Sequence, residues 1–130
     1  MITLDPLEQA VIQKILEGEH PILQGLRKQF ETATVDAREV TGVGFHVHFS
    51  LPPATKPIAT PPKLYGIGDV EATIPGLMHG AGFLLFAKHG KLLMLEGFSY
   101  DEPWPGKITT FQLRYLEPER TKFFEILNGR

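Results

Sequence analysis

The sequence predicts an α+β domain with an N-terminal helix pair, an antiparallel sheet of five or six strands and a short C-terminal helix. Two observations carry this prediction. Apolar residues recur every three or four positions up to about residue 33 and every second position afterwards, so helices and strands are segregated along the chain. The dipeptide His89-Gly90 separates two apolar runs, which is the signal of a two-residue β-hairpin. A chain of 130 residues has the size of one domain, and we assign residues 1–130 to it.

Both N-terminal helices have recognisable starts. Asp5 can cap the first helix, Pro6 suits the first helical position, and Glu8 completes a capping box. The second helix is predicted to begin at Pro21. Gly25 lies inside it and should weaken it by up to about 1 kcal/mol.

Strands are predicted at residues 35–41, 43–50, 69–74 and 108–116, in addition to the two strands of the hairpin. Alternation is clearest in 43–50, where the apolar side chains point one way and His46 and His48 point the other. In 69–74 the same alternation places Asp69 outward. This period of two is what makes the sheet antiparallel and half-buried in our prediction.

Two irregular features complete the chain. Residues 51–63 hold five of the 11 prolines and show no periodicity, so we predict a proline-rich loop there. A loop of this length in a compact domain is usually functional or mobile. Pro118 is predicted to open the C-terminal helix.

The hairpin turn fixes a register when residues are counted outward from it. The predicted pairs are Ala87 with Leu92, Phe86 with Leu93, Leu85 with Met94, Leu84 with Leu95, Phe83 with Glu96 and Gly82 with Gly97. This register makes both faces of the hairpin apolar, whereas helices on one side cover only one face. The proline-rich loop, the terminal helix or a second copy of the chain would have to cover the other, and a homodimer is therefore one hypothesis.

Glu96 is the unusual residue of the hairpin, because the predicted register places it on the same face as Phe83. If that face is the core, burial raises the pKa of the carboxyl unless a cation pairs with it. Arg38 and Arg114 are possible partners. A buried acid of this kind is either catalytic or part of a structural ion pair.

His46 and His48 share one face of a strand, a spacing that can chelate a metal when a neighbouring strand supplies a third ligand. Such pairs also arise on any solvated strand face, and we predict no metal site and no cofactor. The alternative is a ligand pocket on the polar side of the sheet. Its residues would be His46, His48, Glu71 and Glu96.

The hairpin runs into a short segment of acids and large rings between prolines, which we call the acidic-aromatic loop. Its key residues are Tyr100, Asp101, Glu102 and Trp104. Rings supply buried area and carboxylates supply complementarity to a basic partner surface, so we predict a partner-binding site here. The alternative is that Tyr100 and Trp104 only fasten the loop to the body.

Composition excludes several classes. The 13 basic and 15 acidic residues give a net charge of −2, which argues against a nucleic-acid binder. The chain has no cysteine, so disulfides, thiol nucleophiles and thiolate metal sites are excluded. No apolar run is long enough to cross a membrane, and the first residues lack the layout of a signal peptide, so we expect cytoplasmic residence. Phosphate-binding loops, nucleophile elbows and zinc-protease or EF-hand spacings do not occur.

Three runs of sequence carry a resemblance: TGVGF from Thr41, GAGFLLF from Gly80 and LEGFSYDEPWP from Leu95. They resemble runs in an uncharacterised family of small bacterial single-domain proteins, which implies a compact domain. More loosely, a hairpin that ends in Leu-Glu-Gly-aromatic and an acidic loop is similar to segments of toxin-immunity proteins.

We therefore expect a non-enzymatic cytoplasmic protein-binding domain, of an immunity-like kind, that engages a protein through the acidic-aromatic loop. One alternative is a small-ligand or metal-binding enzyme that uses the polar sheet face with His46, His48 and Glu96. The other is a structural homo-oligomer whose second sheet face forms the interface.

Overall fold

The computed structural model describes residues 2–129 and confirms the predicted α+β class. The helices are α1 (Pro6–Ile15), α2 (Pro21–Thr32) and α3 (Glu117–Leu127). The strands are β1 (Thr34–Thr41), β2 (Gly44–Ser50), β3 (Gly66–Ile67), β4 (Val70–Thr73), β5 (Ala81–Lys88), β6 (Lys91–Ser99) and β7 (Gln112–Tyr115).

The strands form one antiparallel sheet in the order β1-β2-β6-β5-β4-β7, with β3 paired to β5 beside this path. Within residues 2–129 the sheet has seven strands, more than the five or six predicted. Strand β3 is only two residues long and shows no periodicity, which is why the sequence pattern does not predict it. Strand β7 has four residues and is shorter than the predicted 108–116.

The three helices share one hydrophobic core with one face of the sheet, which we call the inner face. The capping box of α1 is confirmed, since the Glu8 amide donates to Asp5 Oδ1 at 2.8 Å and the Asp5 amide donates to Glu8 Oε1 at 3.0 Å. Phe123 and Leu127 of α3 join the same core. Among the described helices, none is long and apolar enough to cross a membrane.

The proline-rich loop is fastened to α2 and to the hairpin turn. Gln29 of α2 is buried, and its amide donates to the carbonyl oxygens of Gly90 at 2.9 Å and Lys56 at 3.3 Å. The Ile58 amide also donates to Gly90 O at 2.9 Å. A Cβ on Gly25 would lie 2.7 Å from Ile58 Cδ1. The glycine that weakens α2 therefore makes room for Ile58.

The His89-Gly90 turn of the hairpin is confirmed, with φ of 53° and 76° at the two positions. The predicted register is wrong beyond the first pair. Ala87 still faces Leu92, but the next pair is Phe86 with Met94, which leaves Leu93 as the extra residue of a β-bulge. Every later partner is displaced by one residue, and each side chain of β6 from Met94 onward lies on the opposite face from the one predicted.

This bulge redistributes the apolar residues of β6. Leu95 is fully buried on the inner face, whereas Met94 and Phe98 are half-buried on the other, outer face. Gly82 and Gly97 do not face each other as predicted. Gly97 faces Phe83 and lies under the ring of Phe45, and Gly82 faces Phe98 on the outer face.

Asp69 was predicted to point outward, and this is wrong. Its side chain is 1% exposed, and Oδ2 accepts from Arg120 Nη1 of α3 at 2.7 Å. Burial raises the pKa of Asp69, while the Arg120 guanidinium opposes that rise. The predicted outward direction failed because Asp69 lies just before β4, where the strand alternation does not apply.

Candidate functional site

The acidic-aromatic loop leaves the end of β6 and is tied to the β1–β2 turn by backbone hydrogen bonds. The Ser99 amide donates to Val43 O at 2.8 Å, and the Trp104 amide donates to Gly42 O at 3.0 Å. The Ser99 hydroxyl also donates to Glu102 O across the loop. The loop therefore starts and ends on the same turn, which restricts its conformations.

Glu102 and Trp104 hold this loop in place. The Glu102 carboxylate accepts hydrogen bonds from the Met78 amide at 2.9 Å and the His79 amide at 3.1 Å, and so joins the loop to the β4–β5 connection. Trp104 packs edge-on against Phe45, with ring centroids 5.4 Å apart. Both residues act as fasteners, as the alternative interpretation of the loop expected for Trp104.

Tyr100 and Asp101 are the two members of the predicted quartet that face solvent. Tyr100 is 40% exposed and packs edge-on against Phe98 at 5.7 Å. Asp101 is exposed and has a φ of 63°, in the left-handed region that a non-glycine residue seldom occupies. Such outliers persist where the surroundings hold them and are often functional. The structure thus divides the quartet into a presented pair and an anchoring pair.

The segments fastened to the loop expose large apolar side chains of their own. Met78 is 84% exposed, and Val40 and Val43 of the β1–β2 hairpin are 76% and 47% exposed. None of the three was predicted from the sequence. The alternation in 43–50 predicts Val43 on the same face as Phe45 and Val47, and this is wrong, because β2 begins at Gly44 and Val43 lies in the turn before it.

Acid should release the Glu102 anchor. The Met78 and His79 amides hold the pKa of Glu102 below its ordinary 4.5, so this tie is present at neutral pH and is lost as the pH falls through the lowered value. We expect the amide resonance of Met78 to titrate with a midpoint below 4.5 in NMR spectra.

Glu102→Gln is the control for this titration, since it removes the charge and keeps the side-chain shape. The Met78 amide of this variant should show no transition in the same pH range. A midpoint at or above 4.5 in the unmodified protein would contradict the assignment of the anchor.

The alternative pocket residues all lie on the outer face but form separate pairs. His46 Nε2 lies 2.9 Å from Glu96 Oε2, and His48 Nε2 lies 2.6 Å from Glu39 Oε1. The rings of His46 and His48 are 6.4 Å apart and edge-on. Within residues 2–129 no group of three or more acidic or histidine side chains is placed to hold a metal ion.

Glu71 belongs to a different part of the outer face. It lies on β4 and pairs with Arg114 of β7, which also donates to the Thr73 hydroxyl at 2.9 Å. Strand β5 separates β4 from β6, so Glu71 is two strands, or about 10 Å, from Glu96. Burial and the Glu71 carboxylate raise the pKa of Tyr100. The structure therefore does not gather the four predicted pocket residues into one site.

The hypothesis of a core Glu96 is wrong. The β-bulge at Leu93 moves Glu96 to the outer face opposite Leu84, where its side chain is 31% exposed. Its partner is His46 of the neighbouring strand. Neither predicted arginine reaches it, because Arg38 pairs with Glu8 and Arg114 pairs with Glu71.

Comparisons with known protein families, with curated proteins and with solved structures found no match to this chain. The most distinctive functional feature of the chain is the fastened acidic-aromatic loop with its exposed Tyr100 and Asp101.

Proposed function

We propose that this protein is a non-enzymatic protein-binding domain that uses the acidic-aromatic loop to engage a basic and apolar surface of a protein partner. The proposal rests on one observation: two residues of the loop hold it in place, and the other two are exposed. Glu102 and Trp104 anchor it, while Asp101 and part of the Tyr100 ring, which packs on Phe98, stay exposed. A loop that is already ordered loses less conformational entropy when it binds a partner, so a fastened loop is suited to recognition.

The chemistry of the presented side chains supports the choice of partner. Tyrosine and methionine are enriched in the cores of interfaces, and tyrosine is a frequent hot spot. Tyr100, Met78, Val40 and Val43 are four of the seven large hydrophobic side chains that residues 2–129 expose. Asp101 adds a negative charge among them, which favours lysine or arginine on the partner. The similarity of this segment to toxin-immunity proteins is consistent with the same class of interaction.

Selection of peptides from a random library displayed on phage would test the proposal, because it requires no identified partner. We expect enrichment of peptides that combine lysine or arginine with an aromatic or aliphatic side chain. A synthetic copy of the best peptide should bind about tenfold or more weakly to Tyr100→Ala/Asp101→Asn, as fluorescence anisotropy would show.

Tyr65→Ala/Asp36→Asn is a matched control, because Tyr65 and Asp36 are an exposed tyrosine and an exposed aspartate away from the loop. This variant should bind the peptide as the unmodified protein does. Enrichment of peptides without basic residues, or equal binding to both variants, would contradict the proposal.

A further inference from the structure

The opposite end of the hairpin holds a cleft of about 690 Å³ that the acidic-aromatic loop does not share. Strand β6 runs nine residues from this cleft to the loop, so its eight steps span roughly 27 Å at 3.4 Å per residue. The volume lies within the range of small-molecule sites. The exposed apolar lining includes Phe49, Leu51, Pro52, Pro53, Pro57 and Leu93.

The walls of the cleft are fixed in place. Gln29 spans the hairpin and the proline-rich loop, since it donates to the carbonyl oxygens of Gly90 and Lys56 and accepts from the Leu92 amide at 2.9 Å. The Thr55 amide closes a turn on Pro52 O at 2.9 Å. An open apolar cleft with rigid walls does not collapse, so it stays available to a ligand.

Leu93, the extra residue of the β-bulge in β6, lines this cleft. Leu93 is the residue without a partner in the hairpin ladder, and it is 37% exposed. Bulges are frequent beside functional sites, where they redirect a side chain.

The charged lining residues are two lysines, Lys88 and Lys91. The two lysines face each other directly across the hairpin, where Cβ atoms are about 4.5–5.5 Å apart and like charges repel. No ion pair within residues 2–129 includes either lysine. No aspartate or glutamate occurs between residues 40 and 68 or between 72 and 95, the segments that build the cleft. An anion placed between Lys88 and Lys91 would offset their repulsion.

We propose that this cleft binds an apolar carboxylate, with its aliphatic or aromatic body against the prolines and Leu93 and its carboxylate between Lys88 and Lys91. The apolar wall accounts for the body of such a ligand, and the unpaired lysines account for its charge. This site is independent of the proposed function of the acidic-aromatic loop.

Octanoate is a suitable probe, together with three relatives that each lack one feature. Octanol lacks the charge, octylamine carries the opposite charge, and acetate lacks the apolar body. In NMR titrations at neutral pH, octanoate should shift the amides of residues 49–57 and 88–93 and bind about tenfold more tightly than any of the other three.

Lys88→Gln/Lys91→Gln should weaken octanoate binding by about fivefold or more. Both lysines are at the surface, and removal of two opposed like charges should leave the thermal midpoint of the ligand-free protein unchanged or raise it. The matched control is Lys28→Gln/Lys122→Gln, which removes two exposed lysines from helices α2 and α3 and should bind octanoate normally.

Five results would overturn the proposal. If octanol bound as tightly as octanoate, the cleft would be merely an apolar surface. If acetate bound as tightly as octanoate, the cleft would be a simple anion site. Shifts outside the cleft, or unchanged binding by the double lysine variant, would place the site elsewhere. If a short acidic peptide shifted these amides and bound more tightly than octanoate, the natural ligand of the cleft would be a protein segment rather than a small carboxylate.

Discussion

Arg120→Met should lower the free energy of unfolding by about 3–5 kcal/mol at neutral pH, because it leaves the Asp69 carboxylate buried without its cation. The two side chains are 14% and 1% exposed, and Arg120 Nη1 lies 2.7 Å from Asp69 Oδ2. The second carboxylate oxygen, Oδ1, is buried without a hydrogen-bond partner in residues 2–129. Urea denaturation followed by circular dichroism measures the loss.

Methionine is the appropriate replacement because Arg120 also has a packing role. Its guanidinium lies 4.1 Å from the ring centroid of Tyr115 and 4.8 Å from that of Phe124, and it donates to Glu17 O at 2.9 Å. A methionine keeps much of the apolar stem in this place. The measured loss then reports mainly the charge.

The effect should depend on pH in a defined direction. Burial already raises the pKa of Asp69 above its ordinary 3.8, and loss of Arg120 raises it further. With the folded value above the unfolded value, the folded state binds more protons between the two, so the free energy of unfolding falls as the pH rises through this window. Arg120→Met should therefore be less destabilised, relative to the unmodified protein, near pH 3.8 than at neutral pH.

Two control variants isolate the buried charge. Asp69→Asn/Arg120→Met buries no charge and should be more stable at neutral pH than Arg120→Met alone. Arg114→Met makes the same substitution in a pair whose arginine is 55% exposed, and it should cost about 1 kcal/mol or less. If the double variant is no more stable than the single one, the loss does not come from an unpaired Asp69.

Local signals in the sequence were sufficient for most elements of the fold. The capping residues of α1 and the proline at the start of α2 act within one helical turn, so they are visible in a few consecutive residues. The alternation in β2 correctly separated Phe45 and Val47, which are buried, from His46 and His48. The class and the order of the main elements follow from such short-range patterns.

Interactions between distant residues were not predictable in the same way. An in-register hairpin puts Glu96 on the core face, which argues against that register, but the alternation within β6 does not show where the extra residue of a bulge lies. The burial of Asp69 depends on Arg120, 51 residues later, and that of Glu8 depends on Arg38, 30 residues later. Burial raises the pKa of Glu8, and the hydrogen bond from Arg38 opposes this.

The candidate site shows the same limit. The four residues of the acidic-aromatic loop were found because they are adjacent in the chain. Their separate roles could not be predicted, because Glu102 anchors the loop only through the amides of Met78 and His79 in the β4–β5 connection. The basic cleft was missed for a similar reason, since the proline-rich loop and the hairpin turn meet only in the folded chain.

Gly44→Ala should be the other strongly destabilising substitution, with a loss of about 3 kcal/mol or more in the free energy of unfolding. A methyl group on Gly44 would collide with the backbone carbonyl of Gly97 and lie 2.9 Å from the Cα of Phe98. These are backbone atoms of the neighbouring strand, so no change of rotamer relieves the overlap and β2 and β6 must separate. The fluorescence of the single tryptophan, Trp104, should report the transition, because its ring packs on Phe45 of β2.

Gly42→Ala is a matched control two residues away in the same hairpin. A Cβ on Gly42 meets nothing within 4 Å, and its backbone is outside the left-handed region, so alanine should leave the stability unchanged or raise it by about 0.4–1 kcal/mol. Similar effects of the two substitutions would contradict the close approach of Gly44 to β6. Because Val43 O and Gly42 O hold both ends of the acidic-aromatic loop, Gly44→Ala should also weaken the binding of a loop-specific peptide under conditions where the variant is still folded, whereas Gly42→Ala should not.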